Sequence, residues 1–139
     1  MTECLAAGER LVLLPERAVH WPAGRTLFVA DFHLGKAASF RSAGIPLPAG
    51  TTADNVARLD RALAGRPAEH LVFLGDFLHS AQGRAPATLE RFARWRASRK
   101  QLAITLVRGN HDDRAGDPPA EWGVRCVDPG EPLGPFALV

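Results

Sequence analysis

Three apolar runs constrain the fold of this chain more than any other feature: Thr26-Leu27-Phe28-Val29-Ala30, Leu71-Val72-Phe73-Leu74 and Ala103-Ile104-Thr105-Leu106-Val107. They are short and rich in β-branched or aromatic residues. Without polar alternation, they read as strands buried on both faces of a sheet. Amphipathic stretches separate them, so the chain alternates strand and helix in the manner of an α/β layered fold. Each run leads into a polar block. The blocks are Asp31-Phe32-His33, Gly75-Asp76 and Gly109-Asn110-His111-Asp112. Ligands of such sheets bind beyond the carboxyl ends of the strands, so one parallel sheet brings all three blocks to a common edge. Oxygen and nitrogen donors converging there suit a pair of divalent metal ions, and paired ions suit phosphoester hydrolysis.

The remaining segments fit around that sheet. Leu11-Val12-Leu13-Leu14 and the stretch around Val19-His20-Trp21, joined through Pro15-Glu16-Arg17, predict a hairpin that enters the sheet, and Trp21-Pro22 leads into a turn at Ala23-Gly24. Pro46-Leu47-Pro48-Ala49-Gly50 breaks the chain before Thr51-Thr52-Ala53-Asp54. There a hydroxyl and an acid at capping-box spacing start a helix carrying Val56, Leu59 and Leu63 on one face. A second amphipathic helix holds Leu89, Phe92 and Trp95 on one stripe. Arg91, Arg94, Arg96 and Arg99 lie between Arg84 and Lys100 against a single acid, Glu90, and so predict a basic outer face. Such a face is either a solvated helix surface or a contact for a phosphate backbone. Gly116-Asp117-Pro118-Pro119 is expected as a loop, Val124-Arg125-Cys126-Val127 as a short strand, and Phe136-Ala137-Leu138-Val139 as a strand that has barely begun.

Composition narrows the class. A chain of 139 residues is expected to hold one domain with one core, and its formal charge of +2 does not by itself argue for nucleic-acid binding. Cys4 and Cys126 are too far apart in sequence for a C-x-x-C zinc site and too few for a disulfide scaffold, so both are expected as reduced thiols. The opening segment carries Glu3 where a signal peptide needs positive charge, and no apolar stretch approaches the ~20 residues of a membrane span. A cytoplasmic location with no membrane partner is the expectation.

The order D-x-H, G-D, G-N-H-D resembles the calcineurin-like metallophosphoesterase superfamily. Leu13-Leu14-Pro15-Glu16-Arg17, Ala30-Asp31-Phe32-His33-Leu34-Gly35-Lys36, Gly44-Ile45-Pro46-Leu47-Pro48 and Leu74-Gly75-Asp76-Phe77-Leu78-His79 narrow the resemblance to the bacterial ligase-associated DNA damage response endonucleases of the PdeM family. The resemblance covers nearly the whole chain. It implies a β-sandwich flanked by helices, two divalent ions at the strand ends, and a DNA substrate handled beside an ATP-dependent DNA ligase and a helicase. The superfamily pattern continues with a further histidine and a G-H-x-H block. The five histidines here are His20, His33, His70, His79 and His111, so no imidazole follows His111. The expectation is a single metallophosphoesterase domain over residues 1–139, the amino-terminal portion of a longer protein, with the carboxy-terminal part of the sandwich missing.

Within that resemblance the residue types have physical reasons. Asp76 suits the bridge between two ions, because a carboxylate can give one oxygen to each. Asp31 and His33 leave the turn after their strand at alternate positions and can reach the same ion. Asn110 offers a neutral amide oxygen to the second ion and limits the negative charge that a phosphate must meet. His111 corresponds to a superfamily histidine that contacts the phosphate and can protonate the departing oxygen, a role suited to a pKa of ~6.5. Asp112 is expected to orient the loop or His111. His79 stands where many superfamily members carry an acid, and is expected as a hydrogen-bonding neighbour of the ligands, a substrate contact or a surface histidine with no role in the site.

The expected activity is metal-dependent phosphodiester hydrolysis with a metal-bridging hydroxide as nucleophile, using Mn²⁺ in preference to Fe²⁺ or Zn²⁺, among which ligand chemistry does not decide. Two other readings stay open. One is a phosphomonoesterase or nucleotide phosphohydrolase acting on a small substrate. The other is a catalytically incomplete domain that binds a partner or nucleic acid. Singly, the blocks are weak signals: Asp31 could cap a helix, Gly75-Asp76 could mark a turn, and Gly109-Asn110 could supply left-handed backbone angles. Arg108, Arg114 and Lys36 read as ordinary loop charge.

Overall fold

The apolar runs become the centre of one sheet because nearly every position on them meets a packed layer, the exposed Ala103 excepted. In a computed structural model, which describes residues 2–34, 44, 51–75, 77, 86–109 and 117–139, the strands are β1 (Thr2–Ala6), β2 (Glu9–Leu14), β3 (Ala18–Trp21), β4 (Thr26–Ala30), β5 (His70–Leu74), β6 (Ala103–Val107) and β7 (Val124–Val127). They form a seven-stranded sheet in sequence order. The first four pair antiparallel, and β4, β5, β6 and β7 pair parallel. Helices α1 (Thr51–Leu63) and α2 (Pro86–Ala97) supply the β4–β5 and β5–β6 crossovers. A short 3-10 turn, Ala120–Trp122, precedes β7.

Alternation along the buried strands sorts side chains to two faces. Leu27, Val29, Leu71, Phe73, Ile104 and Leu106 point to the helices, where they meet Val56, Leu59 and Leu63 of α1 and Phe92 and Trp95 of α2. Phe28, Val72 and Val107 point the other way, towards Trp21, Val127 and Leu138. That second face is covered by the hairpin of β8 (Glu131–Leu133) and β9 (Phe136–Leu138). Phe136 stands edge-on to Trp21 with ring centroids 5.0 Å apart. The indole also lies so close to Gly24 and Gly134 that a Cβ would fall 2.2 Å and 2.7 Å from it, respectively. The expected α/β layering, with helices on one side and the start of a second sheet on the other, is therefore present.

Two strands escaped the sequence reading. Strand β1 is almost wholly exposed, so no buried alternation announced it; it is held as an edge by the β2 ladder and by the Arg10–Glu3 ion pair. Strand β8 contains Pro132, which an edge strand tolerates. The run expected as a barely begun strand is β9, completed by β8. The basic outer face of α2 is narrower than expected. Arg96 donates from Nε to the Trp122 carbonyl at 2.7 Å and from a terminal nitrogen to the Leu102 carbonyl at 2.6 Å, fastening the helix end to the following loops. Arg99 pairs with Asp60 of α1 at 2.9 Å and lies over the Trp95 ring. Arg94 is exposed and Arg91 partly so. Cys4 and Cys126 form no disulfide. Among the described residues, no helix is long and apolar enough to cross a membrane.

Candidate metal centre

The parallel register sets the site. Ala30 lies opposite Leu74, and Leu74 opposite Val107, so β4, β5 and β6 end level with one another. Asp31, Gly75 and Arg108 follow at once. A Cβ on Gly75, which has φ +74°, would lie 3.5 Å from the Cα of Gly109. The second and third motifs therefore enter their loops side by side, and glycine serves at position 75 for its left-handed angle, since a Cβ there would make only ordinary contacts. Asp76, His79, Asn110, His111 and Asp112, like Lys36 and Arg114, lie outside the described residues.

Asp31 and His33 are described, and they meet. The Asp31 Oδ1 and His33 Nε2 atoms are 3.8 Å apart, with the Asp31 side chain largely exposed and the imidazole mostly covered. Both residues have left-handed backbone angles, φ +54° and +50°. Each such angle in a non-glycine residue costs on the order of 1–3 kcal/mol and persists only where surrounding contacts enforce it. The intervening Phe32 is the anchor. It is 2% exposed, stacks on Phe77 at 5.7 Å between centroids, and touches Phe73 at 5.0 Å. Phe77 itself packs on Phe73 and edge-on to Phe92. Thus the residue after Asp31 and the residue after Asp76 meet in one aromatic cluster beneath the site.

Hydrogen bonds complete the frame. The Leu34 N–H donates to the Phe77 carbonyl at 2.7 Å, tying the first motif to the second. From α1, Asn55 Nδ2 donates to the Phe32 carbonyl at 2.9 Å, and Arg58 donates to the Ala30 carbonyl at 3.1 Å and the Asp31 carbonyl at 3.4 Å. Burial, then Arg17, holds the Arg58 guanidinium below its usual range, with Asp31 acting in the opposite sense.

The third motif has its own clasp. Arg108 donates to both carboxylate oxygens of Asp117 at 3.0 Å and reaches Asp128 at 3.3 Å. Its hydrogen bonds to Asp117 are the main reason its pKa is raised. Residues 108 and 117 bracket the segment bearing Asn110, His111 and Asp112, so the charge expected as ordinary loop charge closes the base of that segment. The sequence signal was the pairing of Arg108 with Asp117 across the motif. The corresponding signal for the aromatic anchor was a phenylalanine in both Asp31-Phe32-His33 and Asp76-Phe77.

Two ligands of one ion, each at ~2.0–2.2 Å from it, lie no more than about 4.4 Å apart. The 3.8 Å between Asp31 Oδ1 and His33 Nε2 is within that span, and a carboxylate with an imidazole is a donor set that divalent transition ions accept. The pair therefore fits a shared ion. Among the described residues no group of three or more His, Cys, Asp or Glu side chains lies together.

The calcineurin-like phosphoesterase family model matches residues 24–136, and the chain belongs to that family, as the motif order implied. Among solved structures it is similar to the Pseudomonas putida nuclease MPE, with 46% identity, a TM-score of 0.87, and coverage of 98% of this chain and 64% of that one. The chain thus spans a little under two thirds of the length of that nuclease. No curated protein matches it.

Proposed function

We propose that this chain carries the first metal ligands of a metal-dependent phosphodiesterase that cleaves DNA. The observation that supports this most is the level ending of β4, β5 and β6, with Asp31 and His33 3.8 Å apart at that edge. Family membership and the similarity to a protein named as a nuclease support it further. In this reading Asp31 and His33 would hold one ion, Asn110 would hold a second, and Asp76 would serve both. Two divalent ions, when bound, supply Lewis acidity towards the phosphate and lower the pKa of the attacking water. His111 gives its imidazole proton to the departing oxygen. His79 and Asp112 act around these groups through hydrogen bonds. Mn²⁺ is the proposed ion, with Fe²⁺ and Zn²⁺ as the other ions that the donors accept.

A single metallophosphoesterase domain, a cytoplasmic location, and a DNA-repair setting beside an ATP-dependent ligase and a helicase belong to the same proposal. Support for the repair setting, the ligase and the helicase is the motif resemblance alone.

The test is hydrolysis of a chromogenic phosphodiester and the matching monoester with added Mn²⁺, comparing the chain with Asp76→Asn. Diester turnover that the substitution removes is expected. Preference for the monoester would overturn the diesterase assignment, and a folded chain with no turnover on either would be an incomplete catalytic domain.

A further inference from the structure

We propose that Arg58 and Asn55 of α1 are positioning residues for the metal ligands, setting ion affinity by holding Asp31 and His33 in their left-handed backbone conformation. The inference rests on the reading of Asp31 and His33 as ligands and deepens it, because neither helix residue touches the ion in that reading.

The argument starts from the backbone. Two left-handed non-glycine residues within three positions, Asp31 and His33, are costly. Left to itself, the segment would relax to extended angles, in which residues two apart share a face but sit about 6.6 Å apart along the strand, and the 3.8 Å approach of the two side chains would lose its backbone frame. Something must hold it, and α1 does so at consecutive points. Arg58 takes the Ala30 and Asp31 carbonyls, and Asn55 takes the Phe32 carbonyl. Residues three apart share a helix face, so one stretch of α1 reads three carbonyls in a row. The Arg58 guanidinium also lies 5.5 Å from the centre of the Phe32 ring, which adds a cation–π contact to the anchor between the two ligands.

Arg58 is an expensive choice for a merely structural prop. Its Nε is buried without a hydrogen-bond partner among the described residues, and Arg17 and Arg61 are nearby cations that oppose its charge. A lysine would offer a point charge and could not span two carbonyls with a planar fork. Groups that orient metal ligands in this way commonly change affinity by about 10- to 100-fold when removed.

The experiment measures Mn²⁺ affinity of the full chain from the free-ion electron paramagnetic resonance signal, with thermal melting in EDTA recorded alongside. Arg58→Met and Asn55→Ala remove the two contacts, Arg58→Lys is the conservative variant, and Asp31→Asn is the ligand control. The expected result is a loss of about tenfold or more in Mn²⁺ affinity for Arg58→Met, a smaller loss for Asn55→Ala, and partial recovery for Arg58→Lys. Asp31→Asn should lose binding. If Asp31→Asn weakens binding while folded Arg58→Met and Asn55→Ala bind Mn²⁺ as the parent does, the positioning role is overturned and the ligand reading stands. If the parent does not bind Mn²⁺, or Asp31→Asn binds as the parent does, both fall. A lowered melting temperature with unchanged affinity marks a structural prop only and overturns the proposal. Should Arg58→Met fail to fold, Asn55→Ala decides in the same way.

Discussion

His70 shows how one residue ties the sheet to solution conditions. Its Nε2 lies 2.8 Å from Thr105 Oγ1. Burial first, and Arg125 second, lower its pKa below the ordinary histidine value. Between that lowered value and ~6.5, the unfolded chain binds more protons than the folded one, so stability falls as the solution is acidified through that window and levels off below it, where both states are protonated. Melting temperature measured from pH 7.5 down to pH 5 should therefore drop more steeply for the parent than for His70→Gln; parallel curves would remove His70 as a source of the acid sensitivity. Phe77 is the clearer stability test. It is fully buried and touches Phe32, Phe73, Phe92 and Trp122, so Phe77→Ala should cost about 3–5 kcal/mol in denaturant unfolding. The sequence disclosed Asp31 and His33 because their chemistry is distinctive. It did not disclose that the phenylalanines beside the motif acids fix them, since burial of an aromatic ring depends on neighbours distant in sequence. Nor did it disclose Asn55 and Arg58, whose partners are backbone carbonyls that no sequence spacing reveals.

At the level of elements, legibility followed burial. Strands β4, β5 and β6 were readable because both faces are covered, as was α1, whose Val56, Leu59 and Leu63 recur with the helical period and are all buried. Strand β1 was not readable because its pairing with β2 comes from the ladder rather than from apolar side chains. The outer charge of α2 was misassigned in part because an arginine that fastens a helix end and one that faces water have the same sequence signature. Arg96 and Arg99 belong to the first kind. The clasp between β6 and the segment before the 3-10 turn makes a prediction of this scale. Arg108 binds Asp117 through two nitrogens, and the bidentate geometry restricts where residues 109–116 start and end. Asp117→Ala should lower diester turnover several-fold while leaving the denaturant midpoint close to the parent's, because a solvent-exposed ion pair adds little to stability. Unchanged turnover would show that the clasp does not serve the motif.

For the molecule as a whole, the sheet edge is where stability and the proposed ligation meet. Asp31 and His33 are held by α1, by the aromatic cluster and by the link from Leu34 to Phe77, so the proposed ligand pair exists only in the folded chain. An ion that binds the native state and not the unfolded one adds RT ln(1 + [L]/Kd), about 2.7 kcal/mol at a hundredfold excess over Kd. For a domain of this size, 1 kcal/mol moves the melting temperature by roughly 3–5 °C, so saturating Mn²⁺ should raise it by about 10 °C above its value in EDTA. The rise should climb with the logarithm of Mn²⁺ concentration beyond Kd and be much reduced in Asp31→Asn, while Ca²⁺, which prefers larger all-oxygen shells, should have a weaker effect. A rise of equal size in Asp31→Asn would mean that Mn²⁺ binds elsewhere, and no rise in the parent would mean that the 3.8 Å approach of Asp31 to His33 is an ion pair of the fold and not half of a metal site.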